Sequence, residues 1–344
     1  MIRTTVTRTL PLAGFTPAGR LSHSSVGLLP LMALCLATAV WSQTPPGPRG
    51  PSIPREVLTG VHPATAGADT PEAANYRFIT IVNPAAPTGA LPYGINDAGL
   101  VTGQYADQHS HYHGFGWLPG VFLSLDYPGS VGTYLGGVNN LGVAAVGYSL
   151  DGTTFHSAAY SFPSGAWTTY PDIPGYSSTE WYYVSDPGVG VGEAFGASTA
   201  VAWIWDPVSQ SYSFMAVPGS AQYSTAANGI NDKGQVVGQF TDAEGVQHGF
   251  LKDRDTYTTL DPPGSTNTIA LAINNSGVIA GYWINATGGT NGFVRASDGQ
   301  YTTVNYPGAG GTTIYGINNR GDICGQWYSP RTGNYWAAFV GYRR

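Results

Sequence analysis

A short motif that returns every 43 to 46 residues constrains the fold more than any other feature of this chain. It reads Gly-Ile-Asn, then Asp or Asn, one variable residue and Gly. Its Asn position, which is Ser in one worn copy, falls at Asn96, Asn139, Ser185, Asn231, Asn274 and Asn318. Self-similarity at a period of about 20 to 50 residues is typical of repeat architectures, in which each repeat is one supersecondary unit.

A second motif, Pro-Gly, keeps the same period independently of the first. Its copies begin at Pro128, Pro174, Pro218, Pro263 and Pro307, in steps of 44 to 46 residues. Two unrelated landmarks with one period indicate about six copies of a unit of about 44 residues.

The fourth copy shows how one unit is expected to fold. Runs with strand character cover about 225–230, 235–241, 247–252 and 257–261. The alternation in Tyr257-Thr258-Thr259-Leu260 has the period of two that a half-buried strand requires. Asn231-Asp232-Lys233-Gly234 supplies the residues of a tight turn between the first two runs. Each unit therefore predicts four short antiparallel strands.

Six four-stranded units predict an all-β fold, a six-bladed β-propeller. Charged residues make up only 10% of the chain, whereas it contains 48 Gly and 25 Pro, a composition unsuited to long helices. The first repeat opens with a strand at 78–82 that matches the fourth strand of a blade, and the chain ends after Ala338-Phe339-Val340, which matches a third strand. We therefore expect the N-terminal strand to complete the last blade and close the ring. An open β-solenoid is the alternative, and it would need capping ends.

The predicted third strand begins with His-Gly-Phe at His113 and His248, and with altered versions at His156, Val201, Asn291 and Ala337. Together with Gly-Ile-Asn-x-x-Gly and Pro-Gly, this pattern resembles the bacterial extracellular repeat family named for its His-Ala-Phe motif (HAF-type repeats). The resemblance covers about residues 76–342. It departs from the family in having Gly in place of Ala, and the third copy has lost most motif residues. It implies an exported repeat protein and carries no catalytic residues.

The N-terminus predicts export. Residues 1–43 contain Arg3, Arg8 and Arg20, no acidic residue, and an apolar run at 26–41 that is short for a membrane span and typical of a signal peptide. An uncleaved anchor is the alternative. Residues 44–75 are rich in Pro, Ala and Gly and predict a linker, which leaves 76–344 as the propeller domain. We expect a secreted, cell-surface or periplasmic bacterial protein.

Charge excludes several classes of partner. The net charge is −6, and loss of the three leader arginines would make it −9. An acidic chain without a basic cluster has no electrostatic footprint for nucleic acid, and we expect no membrane embedding after signal cleavage. Only Cys324 remains beyond the leader, in an apolar strand pattern typical of a buried small side chain. We expect no cofactor.

Two sets of residues are candidates for ligand binding. The third repeat carries three consecutive aromatic residues, Trp181, Tyr182 and Tyr183, which would offer flat binding surface if exposed and core packing if not. A second set precedes the Pro-Gly corners and could circle one mouth of the propeller channel, or could simply cap its own turns. This set is Asp126, Asp172, Asp261 and Asn305.

Histidines supply the one candidate metal site. His109, His111 and His113 alternate along the chain, so an extended backbone would place them on one face, where they could bind zinc or copper. The alternative is structural, because His113 shares its repeat position with His156 and His248. Those three would then each hydrogen-bond a turn within their own blade.

The function predicted from these features is an exported, non-enzymatic binding or surface-interaction module, expected to be a monomer. Its surface, rich in Tyr and poor in charge, favours a glycan or a cell-envelope protein as partner. One alternative is a propeller hydrolase or lyase acting on polysaccharide, with Glu180, Glu193 and Glu244 as the acids that break the repeat pattern. The other is a purely structural envelope repeat protein.

Overall fold

The computed structural model describes residues 72–73, 75–83, 89–329 and 335–344. Within these residues the secondary structure is entirely β, with 25 strands in six antiparallel sheets and no helix. The sheets form a six-bladed β-propeller, which confirms the predicted fold class.

Strand order within each sheet follows the chain in blades 1 to 5. Blade 1 consists of β3 (Ala90–Ile95), β4 (Val101–Ala106), β5 (Tyr112–Leu118) and β6 (Val121–Leu125). Blade 2 consists of β7 (Gly132–Val138), β8 (Val143–Ser149), β9 (His156–Ser161) and β10 (Ala166–Thr169). Blade 3 consists of β11 (Ser178–Val184), β12 (Gly190–Phe195), β13 (Ala200–Asp206) and β14 (Ser211–Met215). Blade 4 consists of β15 (Ala226–Ile230), β16 (Val236–Thr241), β17 (Gln247–Asp253) and β18 (Thr256–Leu260). Blade 5 consists of β19 (Ser265–Ile273), β20 (Ile279–Asn285), β21 (Thr290–Arg295) and β22 (Tyr301–Thr303).

Blade 6 joins the two ends of the described chain. Its sheet order is β1 (Glu72–Ala73), β2 (Tyr76–Thr80), β25 (Tyr335–Arg343), β24 (Ile323–Ser329) and β23 (Gly311–Ile317). Ile79 lies directly opposite Val340, so the N-terminal strand completes the last blade as predicted. The short strand β1 lies within the segment predicted to be linker.

The first strand of each blade lies nearest the propeller axis, because the turns that follow these six strands surround the axis. These inner strands approach one another closely. A Cβ atom on Gly94 would lie 2.6 Å from the Cα atom of Gly137 in the next blade, so blade 1 requires Gly at this motif position.

The motif turns are joined by one closed ring of hydrogen bonds around the axis and by a second set that is interrupted at Ser185. The amide of Asp97 donates to the side chain of Asn140 in the next blade, and the same bond recurs from blade to blade until the amide of Asn319 donates back to Asp97. Side chains of the motif Asn residues add a second set, in which Asn96 donates to the carbonyl oxygen of Asn139. The repeat motif therefore serves ring closure as well as the turn itself.

The predicted signal peptide, residues 1–43, and all of the predicted linker apart from 72–73 and 75 lie outside the described residues. Within the part of the chain that the structure describes, no helix has the length and apolar character needed to cross a membrane.

Candidate functional site

The repeated histidines and the Asp residues before the Pro-Gly corners, which the sequence presented as two separate sets, form pairs. Nδ1 of His113 lies 2.9 Å from the carboxylate of Asp126, and the hydrogen bond to Asp126 raises the pKa of His113. We call this pair of positions the His–Asp clip, because it ties the start of the third strand to the end of the fourth. The clip is present as His113–Asp126, His156–Asp172 and His248–Asp261, with Nδ1 to carboxylate distances of 2.7 to 2.9 Å.

In blade 4 the clip is extended by a second carboxylate. Nε2 of His248 lies 3.1 Å from Asp242 in the loop between the second and third strands, while Nδ1 contacts Asp261. Burial lowers the pKa of His248, but its two carboxylate partners outweigh burial and hold the pKa above its ordinary value. The histidine therefore fastens two loops of one blade together, as the structural alternative predicted.

Blade 5 keeps the clip in neutral form, since the amide of Asn305 donates to the side chain of Asn291 over 2.9 Å. Blade 3 has lost it altogether, because Val201 and Ala216 occupy the two positions. A third position in the same cross-strand row also has a small side chain in blade 3, where Ala194 lies opposite Val201. The other five blades have an aromatic residue there: Tyr105, Tyr148, Phe240, Trp283 and Trp327.

The loop from blade 3 to blade 4 is longer than its counterparts. In this loop the amide of Val217 donates to the Thr225 hydroxyl, eight residues further on. The corresponding bonds after blades 1, 2 and 5 span six residues: Tyr127 to Thr133, Ile173 to Thr179 and Tyr306 to Thr312. Two extra residues are therefore inserted here. Tyr223 within this loop has a φ of 59°, a left-handed conformation that is costly for a bulky side chain and that clusters at functional sites.

Loss of the clip and growth of the loop coincide with an open cavity of about 410 Å³, which we call the blade 3 pocket. It lies between the outer strands of blade 3 and the loop that leads to blade 4. Its lining consists of Ala200, Val201, Ala202, Phe214, Met215, Ala216, Val217, Ser220, Ala221, Gln222, Tyr223 and Thr225.

The walls of the blade 3 pocket are mainly apolar with a few polar groups. Phe214 and Tyr223 are 57% and 48% exposed, so both rings are open to a ligand. Ser220, Gln222 and Thr225 add hydroxyl and amide groups, and none of the described residues that line the pocket is charged. Pockets of about 300 to 1,000 Å³ with apolar walls and a few placed polar groups are typical of small-molecule sites. The arrangement suits a small, neutral ligand.

The three consecutive aromatic residues of blade 3 do not form the exposed binding surface that was one alternative predicted from the sequence. Trp181 is fully buried and packs in an aromatic cluster with Tyr170 and Trp203, at ring-centroid distances of 4.0 and 5.5 Å. Tyr182 is also buried and donates its hydroxyl hydrogen to Glu193. Tyr183 is half-buried at the axial turns. These aromatics fill the interior, which was the structural alternative.

The predicted ring of Asp126, Asp172, Asp261 and Asn305 does not surround the channel. Each follows the outermost strand of its blade and contacts a side chain of that blade, so the four residues lie at the periphery. The axial mouth that the structure describes is instead lined by the motif turns and encloses only about 30 Å³. That space is close to the volume of one water molecule.

The predicted metal site is not formed by its three histidines. Asp107 lies among His109, His111 and His113, at nitrogen-to-carboxylate distances of 3.6, 3.6 and 3.7 Å. Across the described ranges, no group of three or more His, Cys, Asp or Glu side chains could hold a metal ion. Asp107 also accepts the backbone amides of His109 and His111, so it organises this loop.

Two of the three acids that break the repeat pattern come together inside blade 3. Glu180 and Glu193 are directly opposite on β11 and β12, and they are 2% and 3% exposed. Tyr134 donates to Glu180 over 3.0 Å, and Tyr182 donates to Glu193 over 3.1 Å. Burial raises the pKa of Glu180 to about 7 and that of Glu193 to about 8.

This carboxyl pair does not provide the accessible acids that a polysaccharide hydrolase or lyase needs, because a polymer cannot reach side chains buried to this extent. Glu244, the third acid, is exposed in a turn of blade 4. The pair and Glu244 therefore do not form one site.

Comparison with known proteins supports the fold and nothing beyond it. No family model and no curated protein matches this chain. TolB from Acinetobacter baumannii is similar in structure, with a TM-score of 0.51 and 10% identity over 72% of this chain and 64% of that chain. The SapL1 lectin in complex with alpha methyl fucoside has a TM-score of 0.47 and 14% identity, covering 71% of this chain and 89% of that one. An Aleuria aurantia lectin mutant in complex with Fucalpha1-6GlcNAc has a TM-score of 0.44 and 9% identity, covering 80% and 98%.

Phe214 and Tyr223, the exposed aromatics of the pocket, are residues that the sequence analysis missed. Two signals in the repeat could have found them. Both clip positions of blade 3 are apolar, as they also are in the ring-closing blade 6, where Ala337 and Val82 occupy them. Blade 3 differs in its loop, because the distance from its Pro-Gly to the following Thr is two residues longer than in blades 1, 2 and 5. The third repeat is the copy that has lost most motif residues, but the difference that forms a pocket lies on its outer strands and the loop that follows them.

Proposed function

We propose that this chain is an exported, non-enzymatic β-propeller that binds a neutral glycan in the blade 3 pocket. One observation carries the proposal: blade 3, which lacks the clip and has the longer loop, has an uncharged cavity of about 410 Å³ with two exposed aromatic rings. Loops held on a rigid scaffold are common positions for binding residues. The signal peptide predicted from the sequence and the resemblance to HAF-type repeats support a location at or beyond the cell envelope.

A saccharide fits the mixed character of the pocket walls. A pyranose ring has an apolar face that packs on aromatic rings, which Phe214 and Tyr223 provide, and hydroxyl groups that need hydrogen-bonding partners. Ser220, Gln222 and Thr225 provide such partners. The absence of charge among the described lining residues favours a neutral sugar over an acidic one. The proposal depends on these residues and not on the structural likeness to lectins.

Binding can be tested with the full-length protein on an array of neutral and acidic glycans, followed by calorimetric titration of the best saccharide. We expect F214A and Y223A each to weaken binding at least tenfold, which corresponds to about 1.4 kcal/mol. W336A is a matched control, because Trp336 is a comparably exposed aromatic residue in blade 6.

Retention of full affinity in both pocket variants would overturn the proposed site, as would an equal loss in W336A. Exclusive binding of acidic glycans would contradict the proposed neutral ligand. Absence of binding to any glycan would overturn the proposed function itself.

A further inference from the structure

We propose that the buried Glu180–Glu193 pair regulates the blade 3 pocket, so that ligand affinity falls as the solution becomes alkaline. The inference rests on the proposed function, since it concerns the same pocket. It starts from the position of the pair in the sheet.

One row of directly opposed residues crosses all four strands of blade 3. Glu180 on β11 lies opposite Glu193 on β12, Glu193 lies opposite Ala202 on β13, and Ala202 lies opposite Met215 on β14. Residues directly opposite in an antiparallel sheet point to the same face, with Cβ atoms about 4.5 to 5.5 Å apart. Ala202 and Met215 both line the blade 3 pocket. The acid pair is therefore separated from the pocket by a single methyl side chain along this row.

The groups that face the pair include no cation. Tyr134 of β7 and Tyr182 of β11 donate to the two carboxyls, and Tyr93 of β3 packs against Tyr134 with ring centroids 6.2 Å apart. Strands β15 and β16 of blade 4, which flank this face, contain no titratable residue. No described Lys, Arg or His acts as a partner of Glu180 or Glu193.

Titratable side chains on the remaining neighbouring strands point elsewhere. Tyr148 and Tyr160 of β8 and β9 belong to the core between blades 1 and 2, and His156 contacts Asp172 at the periphery. On the outer strands of blade 3, Tyr212 packs in the aromatic cluster on the opposite face, and Asp206 is exposed. A negative charge on the pair would therefore have no described positive partner.

Ionisation of the pair must change its surroundings. Because burial raises the pKa of both carboxyls, they are protonated at mildly acidic pH and lose their protons as the pH rises through about 7 to 8. A buried carboxylate without a cation is costly unless water or a rearrangement stabilises it. The row places that rearrangement next to Ala202 and Met215, at the wall of the pocket. The packed form of the pocket is therefore the protonated form. Because the saccharide is proposed to bind this packed form, linkage requires that its affinity fall as alkaline pH removes the protons.

Met215 offers a readout that does not depend on the ligand. The chain has three Met residues, Met1, Met32 and Met215, so the methyl resonance of Met215 can be assigned in full-length protein labelled with ¹³C-methyl methionine by loss of the signal in M215L. We expect this resonance to titrate between about pH 7 and 8, where the carboxyls change charge. Over pH 6 to 9, the affinity for the best saccharide from the array should fall at least tenfold.

Three variants make the test specific. E193Q should remove both the Met215 titration and the pH dependence of binding while keeping the affinity measured at pH 6, and E180Q is a second variant in case E193Q does not fold. E244Q is the matched control, because Glu244 is exposed on another blade, and it should behave as wild type.

The two proposals fail differently. If binding requires Phe214 and Tyr223 but neither affinity nor the Met215 resonance changes between pH 6 and 9, the regulatory inference is overturned. An unchanged titration in E193Q and E180Q would overturn it as well. If the resonance titrates as expected and no glycan binds at any pH, the acid pair is coupled to the pocket wall at Met215, and the glycan-binding function is overturned.

Discussion

At the scale of single residues, the Asn of the repeat motif stabilises both its own turn and the contact between neighbouring blades. Oδ1 of Asn274 accepts the amides of Ser276 and Val278, which fixes its own turn. Its side-chain amide donates to the carbonyl oxygen of Asn318 in the next blade. One buried side chain therefore sets a turn and joins two blades. The side chain of Ser185, the worn copy in blade 3, bonds only within its own turn.

This difference predicts opposite effects of two exchanges. N274S loses three hydrogen bonds and should lower the free energy of unfolding by about 2 to 3 kcal/mol, whereas S185N gains a bond to blade 4 and should raise it by about 1 kcal/mol. Urea unfolding of the full-length variants measures both values. Equal effects of the same sign would show that the hydrogen bonds from the motif Asn side chains to the next blade do not stabilise the molecule.

Sequence reasoning at this scale identified the motif residues as turn formers but missed their bonds between blades. Those bonds join residues 43 to 46 positions apart, so they become visible only once the blades are arranged in a ring. The two clip positions show the same limit. The His and Asp positions were found separately, and the structure shows that they are partners.

At the scale of strands and loops, the sequence predicted well where alternation is regular. The expected strand at 235–241 corresponds to β16 (Val236–Thr241), and the one at 247–252 to β17 (Gln247–Asp253). The alternation does not show which side chains share a face where an inner strand contains a bulge. The register of β11 shifts between Trp181 and Tyr183, and a bulge changes which side chains share a face, so a period of two cannot place three consecutive aromatics.

The inserted loop gives the prediction at this scale. Deletion of Gln222 and Tyr223 should restore the six-residue spacing between Val217 and Thr225 while the blade remains intact, because both residues lie outside the strands. We expect the thermal midpoint to change little and saccharide binding to be lost, as measured by circular dichroism and calorimetric titration.

A control for this deletion alters the pocket without shortening the loop. The double variant V201H/A216D introduces the clip residues into blade 3 and should also abolish binding. Binding of wild-type strength in both variants would show that the ligand occupies another part of the molecule.

At the scale of the whole molecule, one N-terminal strand closes the ring. Phe78 on β2 is fully buried between blades 5 and 6, with ring centroids 5.1 Å from Tyr306 and 5.2 Å from Phe339. A side chain from one end of the described chain therefore packs into the core formed by the other end. The period and phase of the repeats predicted this closure.

Truncation of Phe78 tests how much stability ring closure contributes. F78A should lower the free energy of unfolding by about 3 to 5 kcal/mol, the usual cost of removing a buried aromatic side chain. F214A, a truncation at an exposed position, should change it by less than about 0.5 kcal/mol. If F78A unfolds at the same urea concentration as wild type, the closing strand does not stabilise the propeller.

The blade 3 pocket could not be predicted from the repeat because it depends on the absence of the clip side chains in this blade and on residues inserted in its loop. Repeat analysis detects residues that recur, whereas the pocket depends on Val201 and Ala216 replacing a clip and on two inserted residues. Its chemistry becomes evident only when strands β13 and β14 and the following loop are seen together.

The most direct test of the account is a crystal structure of the protein with the saccharide selected on the glycan array. We predict one sugar ring between Phe214 and Tyr223, with its hydroxyl groups near Ser220, Gln222 or Thr225. Density for the saccharide at the axial turns or beside the His–Asp clips, with the blade 3 pocket empty, would contradict it.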